Sequence, residues 1–274
     1  MSAFQNMKNA IKATLRSVAP SLTGRWLARR AERHGERFMA STGVGKLAED
    51  FAARYGNSVR LGEFAGMRLL DRSVGSAFLP KLVGSYEAEL HPCLRRAAAQ
   101  SWDAVIDVGC AEGYYAVGLA MLFKECPKVL AFDLTPTARQ LCKELARLNG
   151  VDGKVSVHGA CDSNRLVEMA NGKRCFVISD CEGFESELFT TETLESLRKS
   201  ELVIELHERE SPGCTTALSQ LFQATHSVEL VPAIPRLPDD YADLMMFTDP
   251  QARQLAVNEF RSQQQHWLVA IPKG

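Results

Sequence analysis

Val105-Ile106-Asp107-Val108-Gly109-Cys110-Ala111-Glu112-Gly113-Tyr114-Tyr115 is the stretch from which the fold is read. Ala104 to Val108 is a short apolar, β-rich run of the kind buried on both faces of a sheet. It ends in Gly109, passes through a loop holding Gly113, and continues into Tyr114 to Phe123. That last segment is apolar nearly all round and predicts a buried helix. Strand, glycine loop and helix form the ligand-binding entry of an open α/β sheet. Two familiar versions are excluded. There is no Gly-Lys-Ser/Thr, so this is not a P-loop, and no complete G-x-G-x-x-G, so a dinucleotide pyrophosphate is not the expected ligand. Instead Asp107 lies two residues ahead of Gly109, which suits a cationic or hydroxyl-bearing ligand. Ala111, between the two glycines, suits this loop only if its φ is not positive.

Working outward, the same alternation repeats. Lys128 to Phe132 predicts a second buried strand, ending in Asp133-Leu134. An acid at that tip is placed to accept from both hydroxyls of a ribose. Thr135-Pro136 opens a helix whose buried stripe is Ala138, Leu141, Cys142, Leu145 and Leu148, stopped by Asn149-Gly150. Lys154 to His158 is a third strand, followed by Cys161-Asp162. Asp162 either accepts from an adenine amino group or caps the helix Asn164 to Met169. Arg174 to Ser179 is a fourth strand, running into Asp180-Cys181-Glu182-Gly183-Phe184-Glu185. Three carboxylates at the carboxyl end of a central strand mark the edge where open α/β sheets bind ligands. Leu202 to Ile204 centres a fifth strand closing on Glu205-Leu206-His207, with Ser211-Pro212 opening the next helix. Val228 to Val231 and Trp267 to Ile271 are the last two strands, and between them lie the Pro- and Asp-rich loop Pro232 to Asp243 and a helix opened by Asp249-Pro250. The expected fold is α/β: one doubly wound, Rossmann-like sheet of seven strands with an N-terminal helical extension. Residues 1–78 form that extension and the lead-in, and 79–274 form the sheet domain.

In the lead-in, Leu47 to Tyr55 predicts an amphipathic helix and Gly62 to Arg72 a hairpin. Ser85 is the candidate cap of a helix running through Leu94 to Ala99, and Glu87 is either a first-turn acid or aimed at the ligand. Further upstream, Phe4, Met7, Ile11, Leu15 and Val18 recur at helical spacing among Lys8, Lys12 and Arg16, and a second helix is expected from Leu22 to Met39. The expected role is a helical cap on the main domain. A peripheral membrane contact, a dimer contact and an organellar presequence remain as alternatives. With 46% hydrophobic residues and a net charge of −1, the 274-residue chain can bury a core and shows no basic surplus for nucleic acid. No segment has the length and polarity of a membrane span. Eight scattered cysteines include no C-x-x-C pair, which argues against structural zinc and for reduced thiols in a cytoplasmic protein.

Asp107, Gly109 and Gly113 resemble the first motif, acid-x-Gly-x-Gly-x-Gly, of class I S-adenosylmethionine-dependent methyltransferases, with Ala111 replacing the middle glycine. Asp180-Cys181-Glu182-Gly183-Phe184-Glu185, Ile204-Glu205-Leu206-His207 and Tyr86-Glu87 sharpen this to the FkbM-type family, over roughly residues 80 to 271. The loop Cys110-Ala111-Glu112 departs from the Ala-Asn-x common there. The resemblance implies S-adenosyl-L-methionine as cofactor, held by Glu87, Asp107, Gly109, Cys110, Ala111, Gly113, Asp133, Leu134, Cys161, Asp162 and Asp180. It also implies a hydroxyl acceptor on a small molecule or glycan. His207 is the candidate base, with an unperturbed pKa near working pH that neighbouring carboxylates would raise, and Asp180, Glu182 and Glu205 orient it or the acceptor, or hold a divalent metal. Metal is not the favoured expectation, because the Asp-Asn pair of catechol-type sites is absent. The rival readings are a nicotinamide-dependent oxidoreductase and a non-catalytic binding protein on the same sheet.

Overall fold

The computed structural model describes residues 43–273 except 72, 74–75, 126–127 and 262–265. The helices expected within residues 1–42, and the basic surface they would form, lie outside the described residues.

Seven strands form one sheet: β1 (Ala104–Val108), β2 (Val129–Phe132), β3 (Val155–His158), β4 (Cys175–Ser179), β5 (Glu201–Leu206), β6 (His226–Pro232) and β7 (His266–Pro272). Their spatial order is β3-β2-β1-β4-β5-β7-β6. β1 to β5 run parallel, with Asp107 in register between Ala131 of β2 and Ile178 of β4. β7 enters antiparallel between β5 and β6. This is the doubly wound, Rossmann-like seven-stranded sheet expected from the sequence.

The strands alternate between two cores. Val105, Phe176, Ile178 and Val203 face one side, where they meet α1 (Val44–Tyr55), α2 (Phe78–Val83), α3 (His91–Ala98), α4 (Tyr114–Leu122), α5 (Pro136–Leu148) and α10 (Pro250–Ala256). Ile106, Val108, Val177, Leu202 and Ile204 face the other, under α6 (Ser163–Ala170), α7 (Glu185–Leu188), α8 (Thr191–Ser196) and α9 (Cys214–Gln223). Both faces of β1, β4 and β5 are buried, which is why those strands read as continuous apolar runs. α1 belongs to the first core through Val44, Ala48 and Phe51, and the Phe51 ring stacks on Phe247 at 6.5 Å. Among the described residues no helix is long and apolar enough to cross a membrane.

Several local expectations are corrected. The hairpin expected over residues 62–72 lies further upstream: residues 57–59 pair with 67–69 through the Ser58–Arg68 bridge, the Val59 N–H donating to the Met67 carbonyl and the Leu69 N–H to the Asn57 carbonyl. Ser85 caps nothing; its hydroxyl donates to the Pro80 carbonyl, and a 3₁₀ turn (Ala88–Leu90) leads into α3. Thr135 does not cap α5 with its side chain, because Asp133 Oδ1 accepts from both the Thr135 N–H and its hydroxyl. Ser211-Pro212 stops short of α9, whose first turn is instead held by Glu208, accepting from the N–H groups of Gly213 and Thr215. In each case a neighbouring carboxylate or carbonyl outcompetes the short side chain named from local propensity. Asp249 does cap α10, accepting from the Gln251 N–H at 2.9 Å.

Candidate active site

The carboxyl edge of the sheet at β1, β2, β4 and β5 gathers the residues named from the sequence. Asp107 sits on the α4 side of β1 and is 3% exposed. The Ala116 N–H at the start of α4 bonds its carboxylate, while its Oδ2 is fully buried without a hydrogen-bond partner. Burial first, then the charges of Asp180 and Asp133, push its pKa well above the ordinary range. A buried carboxylate oxygen with no donor calls for an external one.

The glycine loop packs closely against its neighbours. A Cβ on Gly109 would lie 1.7 Å from the Asp180 carbonyl oxygen, so the loop rests directly on the end of β4. A Cβ on Gly113 would meet Cys142 Sγ of α5 at 2.7 Å. Glycine is therefore needed at these two positions for close packing, with a φ of 88° and 97° respectively. Ala111 overturns its expectation outright: its φ is +46°. The left-handed conformation costs an alanine about 1 kcal/mol. It turns the Ala111 N–H toward Asp133 Oδ2, 3.1 Å away. Asp133 thus ties the tip of β2 to the glycine loop with one oxygen and to Thr135 with the other.

Cys110 lies buried within the loop, hydrogen-bonded to Cys142, and Leu134 and Cys161 are half-buried. Asp162 caps α6, accepting from the Arg165 N–H at 2.9 Å; of its two sequence-level readings, capping is the contact present. Glu87, 1% exposed, does not stand open to a ligand. It accepts from the Tyr115 hydroxyl and is paired with Arg261.

The second half of the site lies beyond β4 and β5. His207 is 6% exposed, with Nδ1 2.6 Å from Glu185 Oε1 and Nε2 3.4 Å from Asp180 Oδ1 and 3.8 Å from Glu182 Oε2. Glu205 and Asp180 also interact directly. Burial acts to lower the His207 pKa, but the hydrogen bond to Glu185 and the charge of Asp180 outweigh it and raise it to about 9. The rise expected of a histidine beside carboxylates is present, and it carries the ionisation above neutrality. The physical reason is Glu185, fully buried and also accepting from the Gly183 N–H. Glu182 is raised to about 7, first by desolvation and then by Asp180, although its side chain keeps 66% of its exposure. Glu205 is buried and raised, by desolvation and then by Asp180. Arg261 reaches it from the loop before β7, with Nη1 2.8 Å from Oε1.

Glu185 stood within a quoted motif and could have been named from its place two residues past Gly183. Arg261, Glu259 and Arg236 carried no such signal. They come from loops far along the chain, and only the fold brings Arg261 between Glu87 and Glu205 and Arg236 between Glu89 and Glu259. One backbone feature unites the region. The described non-glycine residues with positive φ are Glu87, Ala111, Glu182 and Phe260, and each is part of this edge or adjoins Arg261. Strain of this kind concentrates at functional sites.

No protein-family model matches the chain, and no curated protein matches it. Solved structures do resemble it. A precorrin-6y C5,15-methyltransferase from Geobacter metallireducens shares 8% identity at a TM-score of 0.45, over 68% of this chain and 88% of that one. An rRNA methylase from Streptococcus thermophilus shares 14% at 0.46, over 69% and 99%. An O-methyltransferase family protein from Burkholderia thailandensis shares 13% at 0.40, over 72% and 59%. These likenesses carry no residue role across to this chain.

Proposed function

We propose that the chain is an S-adenosylmethionine-dependent methyltransferase of the FkbM type, methylating a hydroxyl of a small molecule or glycan. The observation that carries this is the joined edge. The Gly109–Gly113 loop, Asp133 bound to it through the Ala111 N–H, and the Asp180–His207 cluster meet where β1 has β2 on one side and β4 on the other. That is the switch point at which such sheets bind ligands. The donor fits the residues present. The orphaned Asp107 Oδ2 suits its ammonium, and Asp133 suits its ribose hydroxyls. When bound, the donor supplies a methyl on an electrophilic sulfonium. The remaining work is alignment and removal of the acceptor's proton. At neutral pH His207 holds its proton, so Glu182, raised to about 7 and open to solvent, is the group that takes the acceptor's proton as its oxygen gains the methyl. Asp180, Glu205 and His207 position that carboxylate and the acceptor. The reduced thiols fit a cytoplasmic setting.

Calorimetry with S-adenosylhomocysteine tests the donor. One-to-one binding, absent with NAD(P)H, is expected. Binding of NAD(P)H with none of S-adenosylhomocysteine would replace this reading with the oxidoreductase.

A further inference from the structure

We propose that Asp180, Glu205 and His207 form a binding site for one divalent first-row transition-metal ion, oriented from behind by Glu185. This goes against the expectation drawn from the missing Asp-Asn pair, and four observations carry it.

The first is spacing. One ligand atom from each of the three residues lies within 4.8 Å of the other two. Donors bound at about 2.1 Å stand at most about 4.2 Å apart across an ion, so closure needs a shift of well under an ångström. Asp180, whose side chain is 36% exposed, has room to make it. The second is an orphaned atom. Asp180 Oδ1 is completely buried, has no hydrogen-bond partner, and lies 3.4 Å from His207 Nε2. A buried acceptor left without a hydrogen bond is rare, and an ion shared with His207 Nε2 would satisfy it.

The third is the imidazole. Its Nδ1 is engaged at 2.6 Å by Glu185, which is 0% exposed, so Nε2 is the nitrogen presented to Asp180. A carboxylate fixing the far nitrogen is the usual support of a metal-bound histidine. The fourth is charge. Asp180, Glu182, Glu185 and Glu205 converge on His207 and Arg261, leaving a surplus of carboxylates that a divalent cation would neutralise. Two carboxylates and one imidazole suit manganese, iron(II) or zinc over calcium or magnesium, which prefer all-oxygen sites. The open side toward Glu182 leaves coordination positions for an oxygen ligand from outside.

The proposal does not rest on the methyl-donor reading, and its test uses neither donor nor acceptor. The full chain, stripped with EDTA and dialysed, is titrated with MnCl₂ by calorimetry and by loss of the free manganese EPR signal. One saturating site is expected. Asp180→Asn and Glu185→Gln are each expected to weaken it by about tenfold or more. Glu195→Gln, on an exposed acid remote from the cluster, should leave affinity unchanged. Circular dichroism confirms that each variant is folded. Absence of saturable binding below about 1 mM, the weak end for oxygen-rich sites, would overturn the proposal. So would equal affinity in folded Asp180→Asn and the unsubstituted protein. Manganese binding without S-adenosylhomocysteine binding would refute the donor reading alone.

Discussion

Two buried clusters of charge flank the carboxyl edge of the sheet, and they are built on opposite plans. Beside the glycine loop, Lys81 meets Glu112 at 2.5 Å with both side chains at most 6% exposed. Ser73 and Ser76 hydroxyls accept from the same ammonium, and the Tyr86 and Tyr114 rings lie 4.8 and 4.9 Å from it. One cation faces one anion, and the surroundings complete the pair. Past β4 and β5, acids outnumber cations, Asp180 Oδ1 takes no hydrogen bond, and His207, Glu182 and Glu205 are all raised above their ordinary pKa ranges. A closed pair stabilises a loop. An unbalanced one stores a demand for something from outside.

The contrast can be broken most sharply at Lys81. Lys81→Met leaves the Glu112 carboxylate buried without its cation and is expected to cost about 3–5 kcal/mol by chemical denaturation. Adding Glu112→Gln should recover most of that loss. Failure of the single variant to destabilise would show that the pair is not closed as described. The acidic side should respond to pH instead. A group whose folded pKa lies above its unfolded value stabilises the fold fully below the unfolded value and loses that contribution as pH rises through the folded one. His207, going from 6.5 to about 9, and Glu259, going from 4.5 to about 8, act in the same direction. In chelator-treated protein, His207 alone should therefore lower stability by on the order of 3 kcal/mol between pH 5 and 9, and Glu259 adds to that fall. Thermal melts across that range check it, and a rising curve would contradict the assignment.

A smaller effect is expected at Asp133, which holds the loop and, on the proposed function, the ribose of the donor. Asp133→Ala should weaken S-adenosylhomocysteine by about 1.5–3 kcal/mol in calorimetry. Unchanged affinity in a folded variant would remove Asp133 from the site. Smallest, and opposite in sign to Lys81→Met, is Asp180→Asn. By relieving one repulsion it should raise the stability of the metal-free protein by about 1 kcal/mol. A loss there would mean the acids are satisfied after all.

Much of the scaffold was legible. β1 falls where its five apolar-rich residues place it, and the other strands differ from expectation by a residue or two at their ends. Burial on both faces writes itself into composition, so Val, Ile, Leu and Phe report it directly. The acids at the tips of β1, β2, β4 and β5 were legible too, because they interrupt such runs. What could not be read was set by contact. Ala111 adopts a positive φ because its N–H bonds Asp133, 22 positions along the chain. Arg261 finds Glu87 and Glu205 across 174 and 56 positions. His207 owes its raised pKa to Glu185, whose burial no local pattern states. Caps failed at Ser85, Thr135 and Ser211 for the same reason: propensity names a candidate, and the nearest stronger acceptor decides.

The antiparallel insertion of β7 also sets an order of assembly. β6 precedes β7 in the chain, yet its place at the edge of the sheet is reached only through β7. Residues 226–232 therefore cannot join ahead of 266–272. They wait either as an unpaired strand or as one arm of a ribbon that docks on β5 as a unit. During that wait Val228, Leu230 and Val231 have no lattice of backbone partners, the condition under which strands pair with the wrong chain. Glu229 and Pro232, a charge and a missing donor within the same seven residues, are the features that make such mispairing unfavourable.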